Sequence, residues 1–487
     1  MKKLLKKFSV VLVAAMMLIT MCIPVLAADG GATNSLTVTN NGKTKHTFEL
    51  YQIFKGDLSD GVLSNITWGS GITTAAQTAL GDAATKASTL KAEADVKTFA
   101  DTLVENKYLA TATATQTAAA NANAVFDNLD AGYYLVMDKA SSQTGEQAAY
   151  TAYIMQVVGN VTASTKLDVP TVEKKVKEKN DTTAKESDWQ DAADYDIGDD
   201  VPYQLTGTLP ANFAEYETYT TYTFTDTLSA GLTYNNDAVV KIGDKVITSS
   251  FDIKSEGNKL TISLKSGEDM KKIATSDADK IVVTYTAKLN KNAVVGKAGN
   301  PNTVDLTYSN NPNKGGNGDF GKTPEDKVTV FTYTIEANKV KEDGKTPLEG
   351  AGFTLYKIVN GTETKVGDEI KGVTSFTFKG VDAGKYVLKE TTVPSGYNKA
   401  ADITFTVNAT YDTTSDDPQL KELTVSNTTA SFTATSADGK VSTTVVNTPG
   451  SNLPSTGGIG TTIFYVAGMI LVAGAAAALV LKRRKRA

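Results

Sequence analysis

Between residues 34 and 449 the chain alternates apolar and polar positions in short runs, with Gly, Asn and Pro clustered between them. A period of two marks strands that bury one face against a core. "SLTVTN" and "HTFELYQIF" open the series, and "GYYLVMD" and "YTAYIMQVV" return to it further on. The pattern changes between them. Residues 73–123 are rich in Ala and Thr, and "DVKTFADTLVENKYL" spaces Val96, Phe99, Leu103 and Tyr108 along one side of a helix. Residues 28–165 are therefore expected to form a β-domain with helical insertions. Residues 166–330 are Thr-, Tyr- and Val-rich and alternating, with "NNPNKGGNGDFGKTPEDK" (310–327) read as a polar loop. Residues 331–449 repeat the all-β pattern without closely copying it. The spacing of strands and turn signals predicts a mainly β chain of tandem sandwiches.

Several polar residues break the alternation by sharing the apolar parity. In "TVEKKV", Lys174 is in phase with Val172 and Val176, while Glu173 and Lys175 face the other way. In "YTFTDTLSAGL", Asp226 is in phase with Tyr222, Phe224 and Leu228. In "NPNTVDLTYSN", Asn302 is in phase with Val304, Leu306 and Tyr308, and Asn300 shares that parity. The last β segment does the same with Lys339 (beside Tyr333, Ile335 and Ala337), Glu390 (beside Tyr386 and Leu388) and Asn447 (beside Val441 and Val445). Buried unpaired charge is strongly disfavoured, so a lysine, an acid and an asparagine pointing inward in each segment are expected to meet. The first segment has no lysine in its opening apolar strand, and no such trio is expected there.

The ends set the compartment. Lys2, Lys3, Lys6 and Lys7 precede an apolar run from Val10 to Ala27 that ends in the small-residue pattern "VLA", so residues 1–27 read as a signal peptide. Residues 459–481 carry no charge and are long enough to cross a bilayer, and Lys482, Arg483, Arg484, Lys485 and Arg486 follow. The expected product is exported and held by its C-terminus. Cys22, the sole cysteine, lies in the signal segment, so the mature chain has no disulfides. Removing the nine basic residues of both ends, which have no acids among them, takes the formal charge from −5 to −14. Every arginine lies in the tail, and an acidic, arginine-free ectodomain argues against nucleic-acid binding. His46, the only histidine, is read as part of a polar turn, which argues against His-based nucleophilic catalysis and a histidine-rich metal site. "DAADYDIGDD" offers Asp191, Asp194, Asp196, Asp199 and Asp200, yet lacks the glycine spacing of a calcium loop, so no metal or other cofactor is expected.

Leu453-Pro454-Ser455-Thr456-Gly457, the apolar span and the basic tail together match the LPxTG sorting signal of Gram-positive surface proteins. With the lysine-rich "VTASTKLDVPTVEKKV", the chain resembles the Gram-positive backbone (major) pilins, fimbrial subunits polymerised by class C sortases. Residues 331–449 resemble the collagen-adhesin B-type repeat, whose Tyr-x-Leu-x-Glu-Thr-x-x-Pro-x-Gly-Tyr element is matched from Tyr386 to Tyr397. The resemblance implies Ig-like, collagen-adhesin-type sandwiches. It also implies sortase cleavage after Thr456 and transfer of the Thr456 carbonyl to a lysine of another copy. Lys166 stands at the family's acceptor position, with Thr165 and Leu167 where the family has proline and asparagine; Lys175, Lys177 and Lys179 are its rivals. The resemblance further assigns Lys174–Asp226–Asn302 and Lys339–Glu390–Asn447 to self-formed Lys–Asn isopeptide bonds, with Asp226 and Glu390 as the acids. Asn300 is an alternative to Asn302. Each bond is expected to tie the first strand of its domain to the last.

The function implied is that of the major structural subunit of a covalently polymerised surface pilus supporting adhesion, not an enzyme. The expected partners are other copies of the chain, a sortase and the peptidoglycan, with ancillary pilins and a host-surface ligand as further candidates. The competing reading is a monomeric wall-anchored adhesin, or an ancillary or base pilin. In the domain division used here, residues 450–487 form the sorting signal.

Overall fold

The computed structural model describes residues 34–42, 44–59, 62–139, 142–143, 147–165, 169–312, 319–450 and 459–485. The signal segment, Lys166 and the Leu453–Gly457 motif lie outside the described residues.

In the N-terminal domain, Asn34–Thr39 pairs antiparallel with Asn123–Leu129 and parallel with Asn160–Ser164. A second sheet runs in the order Val62–Trp68, His46–Ser59, Gly132–Asp138 and Ala152–Val157, with Ala114–Ala118 also on the His46 strand. Leu36, Val38, Phe48, Leu50 and Val136 form one core between the sheets. On the other side, three helices cover Ile53, Phe54 and Leu135. Thr73 caps the helix Thr74–Leu80 and Asp82 caps Ala83–Thr89, each side chain accepting a backbone N–H of the first turn. The third helix, Glu93–Glu105, buries Phe99 and Leu103 as its spacing predicts, and the Phe99 ring lies 5.9 Å from that of Phe54.

The middle domain is a sandwich. One sheet places Asp200–Gly207 between the edge strand Val172–Val176 and Ile281–Leu289. The other runs from Lys259–Leu264 through Tyr222–Leu228 and Asn300–Ser309 to Asp326–Phe331, which Ala192–Asp194 extends in parallel. In Tyr222–Leu228 the buried and half-buried positions alternate without a break, so strand phase carries Asp226 into the core. Two expectations fail here. The stretch 310–327, read as a loop, contributes Phe320–Lys322 and the start of Asp326–Phe331 to the sheet, because Phe320 and Gly321 pair across Ser309 and Tyr308. Asp326–Phe331 also follows the Asn302 strand, so Lys174 and Asn302 do not join the first strand to the last.

Thr332 alone separates that strand from Tyr333–Val340, the first strand of the C-terminal domain. Tyr333–Val340 pairs in parallel with the last strand, Lys440–Val446, bringing Lys339 beside Val445. Against this sheet packs a five-stranded one containing Gly352–Val359 and Gly384–Thr392. The helix Ile459–Arg484 ends the chain, and an 18-residue stretch within Thr462–Arg484 has a mean hydropathy of 2.4, long and apolar enough to cross a membrane.

Candidate functional site

The inward polar residues meet as their parity predicts. Lys174, Asp226 and Asn302 are each 0 % exposed. Lys174 faces across the sandwich from one sheet; Asp226 and Asn302 face it from adjacent strands of the other, where Asp226 pairs with Val304 and Asn302 lies two residues away on the same face. Lys174 Nζ is hydrogen-bonded to Asp226 Oδ2 and donates to Tyr285 Oη at 2.9 Å. The Tyr285 hydroxyl donates to Asp226 Oδ2 at 2.9 Å and accepts from Asn302 Nδ2 at 2.8 Å. One phenol thus touches all three members. Lys174 Nζ also lies 5.0 Å and 5.3 Å from the ring centres of Tyr203 and Tyr285.

Burial dominates the electrostatics. It lowers the Lys174 pKa although Asp226 pulls it up, and it raises the Asp226 pKa although Lys174 pulls it down. Both directions favour the uncharged amine and the protonated acid. Asn300, the alternative, is engaged elsewhere: its carboxamide accepts from Val294 N at 2.8 Å and donates to the carbonyls of Val294 at 3.0 Å and Val330 at 3.1 Å.

The C-terminal trio is equally dry but wired differently. Lys339 and Asn447 come from neighbouring parallel strands of one sheet, Asn447 one residue past the strand end, and Glu390 reaches them from the facing sheet. Lys339 Nζ is 3.9 Å from Glu390 Oε1 and donates to the Val445 carbonyl at 3.0 Å. Asn447 Nδ2 donates to Glu390 Oε1 at 2.9 Å, and Ala400 N donates to Glu390 Oε2 at 2.7 Å. Burial lowers the Lys339 pKa to about 8 against the opposing pull of Glu390. The carbonyl oxygens of Asn302 and Asn447 are both buried without a hydrogen-bond donor among the described residues.

The sequence reading missed Tyr285, although Ile281, Val283, Tyr285, Ala287 and Leu289 share the buried parity of their strand. It also misplaced His46. The imidazole is buried at the start of His46–Ser59, with Nδ1 2.7 Å from Asp138 Oδ1. His46, Phe48 and Leu50 share one inward phase, and that phase overrides the polarity of the flanking turn.

The acidic run 191–200 is spent on neighbouring cations and backbone groups. Asp191 Oδ1 accepts from Lys175 Nζ at 2.6 Å, and Asp200 Oδ1 lies 2.9 Å from Lys288 Nζ. Among the described residues, Asp181, Asp196 and Asp382 converge closely enough to hold a metal ion. The Lys357 ammonium already sits among them, at 2.8, 2.7 and 2.7 Å. Burial pulls its pKa down, but Asp382 and Asp196 outweigh that and raise it. This clasp spans the middle and C-terminal domains, beside a backbone bond from Ile197 N to Gly380 O.

Comparison with known proteins agrees with this architecture along its length. Residues 197–312 match the family model for the Gram-positive pilin backbone subunit 2, Cna-B-like domain. Residues 333–419 match the prealbumin-like fold domain of SpaA, and residues 445–487 match the LPXTG cell wall anchor motif. The trypsin-resistant surface T6 protein of Streptococcus pyogenes serotype M6 is 30% identical over 390 residues, covering 66% of this chain and 70% of that protein. This chain belongs to the Gram-positive backbone pilins. The T6 backbone pilin structure, described as modular and three-domain, superposes with a TM-score of 0.56 at 22% identity, covering 87% of this chain and 100% of that one. The full-length major pilin SpaD of Corynebacterium diphtheriae gives 0.50 at 19% identity, covering 87% and 99%. The backbone pilin described here is therefore a major pilus subunit, anchored to the cell wall at the bacterial surface.

Proposed function

We propose that this backbone pilin is assembled and hardened by amide bonds between side chains and chain ends, made both within its domains and between copies. The observation that carries the internal part is the pair of buried Lys–acid–Asn trios. In each, the neutral lysine amine attacks the Asn side-chain carbon while the neighbouring side chain, Asp226 or Glu390, serves as the acid at the carboxamide oxygen, where charge develops. The C–N bond to the leaving amine breaks, the lysine proton passes through the acid to that amine, and ammonia departs. In the middle domain Tyr285 keeps lysine, acid and asparagine in register. Each reaction occurs once, so the protein is a single-turnover substrate of its own chemistry and not an enzyme. A relative named for trypsin resistance fits a lysine-rich chain whose domains are closed in this way.

Between copies, a sortase passes the Thr456 carbonyl of one subunit to Lys166 of the next. Thr165 is anchored just before Lys166: its N–H donates to Thr39 O at 2.9 Å and its hydroxyl accepts from Asn41 N at 3.0 Å. Two rivals are already engaged, Lys175 with Asp191 and Lys177 with Glu186. A head-to-tail link of this kind does not close on itself and propagates as a fibre. The last subunit is passed to peptidoglycan, and ancillary pilins and a host ligand are further partners of the finished fibre. Intact mass of the chain from a host without sortase tests the internal bonds: two ammonia losses at Lys174–Asn302 and Lys339–Asn447 are expected, and unshifted peptides at those positions reject them. In a sortase-bearing host, Lys166→Ala is expected to abolish the detergent-resistant ladder; an unchanged ladder removes Lys166 from the role.

A further inference from the structure

Among its described residues the N-terminal domain has no buried lysine for an amide bond, yet it holds the parts of a different acyl transfer. His46 and Asp138 are 0 % and 1 % exposed, and the imidazole Nδ1 meets Asp138 Oδ1 at 2.7 Å. Asp138 Oδ2 accepts from Thr151 N at 2.7 Å, which fixes the carboxylate. With Nδ1 donating to that carboxylate, Nε2 is left as an acceptor. It lies 3.5 Å from Thr44 Oγ1. The single Thr44 hydroxyl proton is directed at Gln143 Oε1, 3.1 Å away and one bond from the carboxamide carbon, and it turns to Nε2 when His46 acts as base. Gln143 is 4 % exposed, and its Nε2 donates to Lys45 O at 2.9 Å. Thr44 is held in place by Asn40, whose Nδ2 donates to Thr44 O at 2.8 Å and whose Oδ1 accepts from Gly42 N at 2.9 Å. Orienting acid, base, nucleophile and electrophile thus stand in order, each within 3.5 Å of the next.

We propose that Thr44 and Gln143 become joined by a self-formed side-chain ester. His46 Nε2 takes the Thr44 hydroxyl proton as Oγ1 bonds to Gln143 Cδ; the Cδ–Nε2 bond then breaks, His46 returns the proton to the leaving amine, and ammonia is released. No oxidant, reductant or water is consumed. The carboxamide must turn about its last torsion to present its carbon, a motion open to a terminal sp³–sp² bond with a broad torsional well. His46 touches the reacting hydroxyl and acts as the base; Asp138 positions it. The link ties the turn before His46–Ser59 to the segment after Gly132–Asp138. Because the fibre's tension runs from Lys166 to Thr456, this domain lies outside the load path. Its link serves against unfolding and proteolysis.

The test uses the full chain expressed in a host without sortase, digested and mass-analysed before and after neutral hydroxylamine. Peptides bearing Thr44 and Gln143 are expected to travel as one species, lighter by one ammonia than their sum. Hydroxylamine is expected to separate them into free Thr44 and a Gln143 hydroxamate. Isopeptide amides withstand that treatment, so this result is read independently of the amide bonds. Thr44→Val is expected to remove the linked species, Thr44→Ser to restore it, and His46→Gln to reduce it at least tenfold. Separate, unshifted Thr44 and Gln143 peptides from the unaltered chain, or a linked species that persists in Thr44→Val, would overturn the proposal.

Discussion

In the middle domain the lysine stands alone on one sheet, and its acid and asparagine face it from the other. In the C-terminal domain lysine and asparagine sit on neighbouring parallel strands, and only the acid crosses the sandwich. The hydrogen bonding differs as well. Tyr285 ties the first trio together, whereas Lys339 leans on the backbone carbonyl of Val445. What the two share is dryness: all six residues are at most 1 % exposed, and burial drives both lysines toward the neutral amine. The comparison teaches that a desolvated lysine beside an acid and a carboxamide, the arrangement on which the proposed amide chemistry rests, can be delivered by different pairs of strands.

The comparison is broken most forcefully at Asp226. Asp226→Ala removes the acid and leaves Lys174 in the core with the Tyr285 hydroxyl in place of a charged partner. It is expected to abolish ammonia loss in the middle domain and to forfeit about 4–5 kcal/mol of loop-closure stabilisation. A further ~3 kcal/mol follows from the buried amine left without its acid. Intact mass and a drop in the melting temperature of the middle domain report both. Glu390→Ala is expected to lose the corresponding bond at about 4–5 kcal/mol with less added penalty, since Lys339 keeps the Val445 carbonyl. Equal losses at the two sites would show that the Tyr285 hydroxyl satisfies Lys174 as well as the Val445 carbonyl satisfies Lys339.

Lys357→Met probes what holds the two domains against each other. Three carboxylates lose their counter-ion, and a loss of about 3 kcal/mol is expected with both amide bonds intact, seen as wider interdomain angles in small-angle scattering. Asn300→Ala sharpens the assignment of the middle trio. It should cost about 1–3 kcal/mol through the freed backbone groups and leave the ammonia loss unchanged, whereas Asn302→Ala removes it. A pH-dependent shift is expected in Asn447→Ala, whose C-terminal domain cannot close. Folded Lys339 has a pKa of about 8, below its ordinary value, so between the two the unfolded chain binds more protons. Stability should therefore rise with pH from about 8 towards the usual lysine value near ~10.4, and calorimetry across that range checks it. A flat profile would mean that the amine stays charged in the fold.

Much of this was legible in strand parity alone. Lys174, Asp226, Asn302, Lys339, Glu390 and Asn447 all stand in phase with core residues, and a period of two is unforgiving about which face a side chain takes. Parity also explains the misreading of His46, since its phase with Phe48 and Leu50 was written in the sequence while its flanking turn suggested exposure. Parity could not separate Asn300 from Asn302, because both face the same way; the structure shows Asn300 engaged by backbone groups of Val294 and Val330 and Asn302 beside Tyr285. The Lys357 clasp was beyond sequence reading, since Asp181, Asp196 and Asp382 converge only once two domains dock. Nor did parity foresee that a strand would follow Asn302 in its sheet.

That extra strand, Asp326–Phe331, gives the fibre some slack. With the proposed Lys174–Asn302 bond in place, a pull along the fibre would bypass most of the middle domain, then re-enter ordinary backbone between the tie and Thr332. In the C-terminal domain the tie sits at the exit itself, and nothing is left to stretch. Roughly thirty residues in the middle domain are thus secured by hydrogen bonds alone, enough to let out about 100 Å at 3.3–3.6 Å per residue before any covalent link bears the strain. A bacterium tethered by many such subunits in series would feel a sudden tug as gradual lengthening, with recoil once the flow subsides.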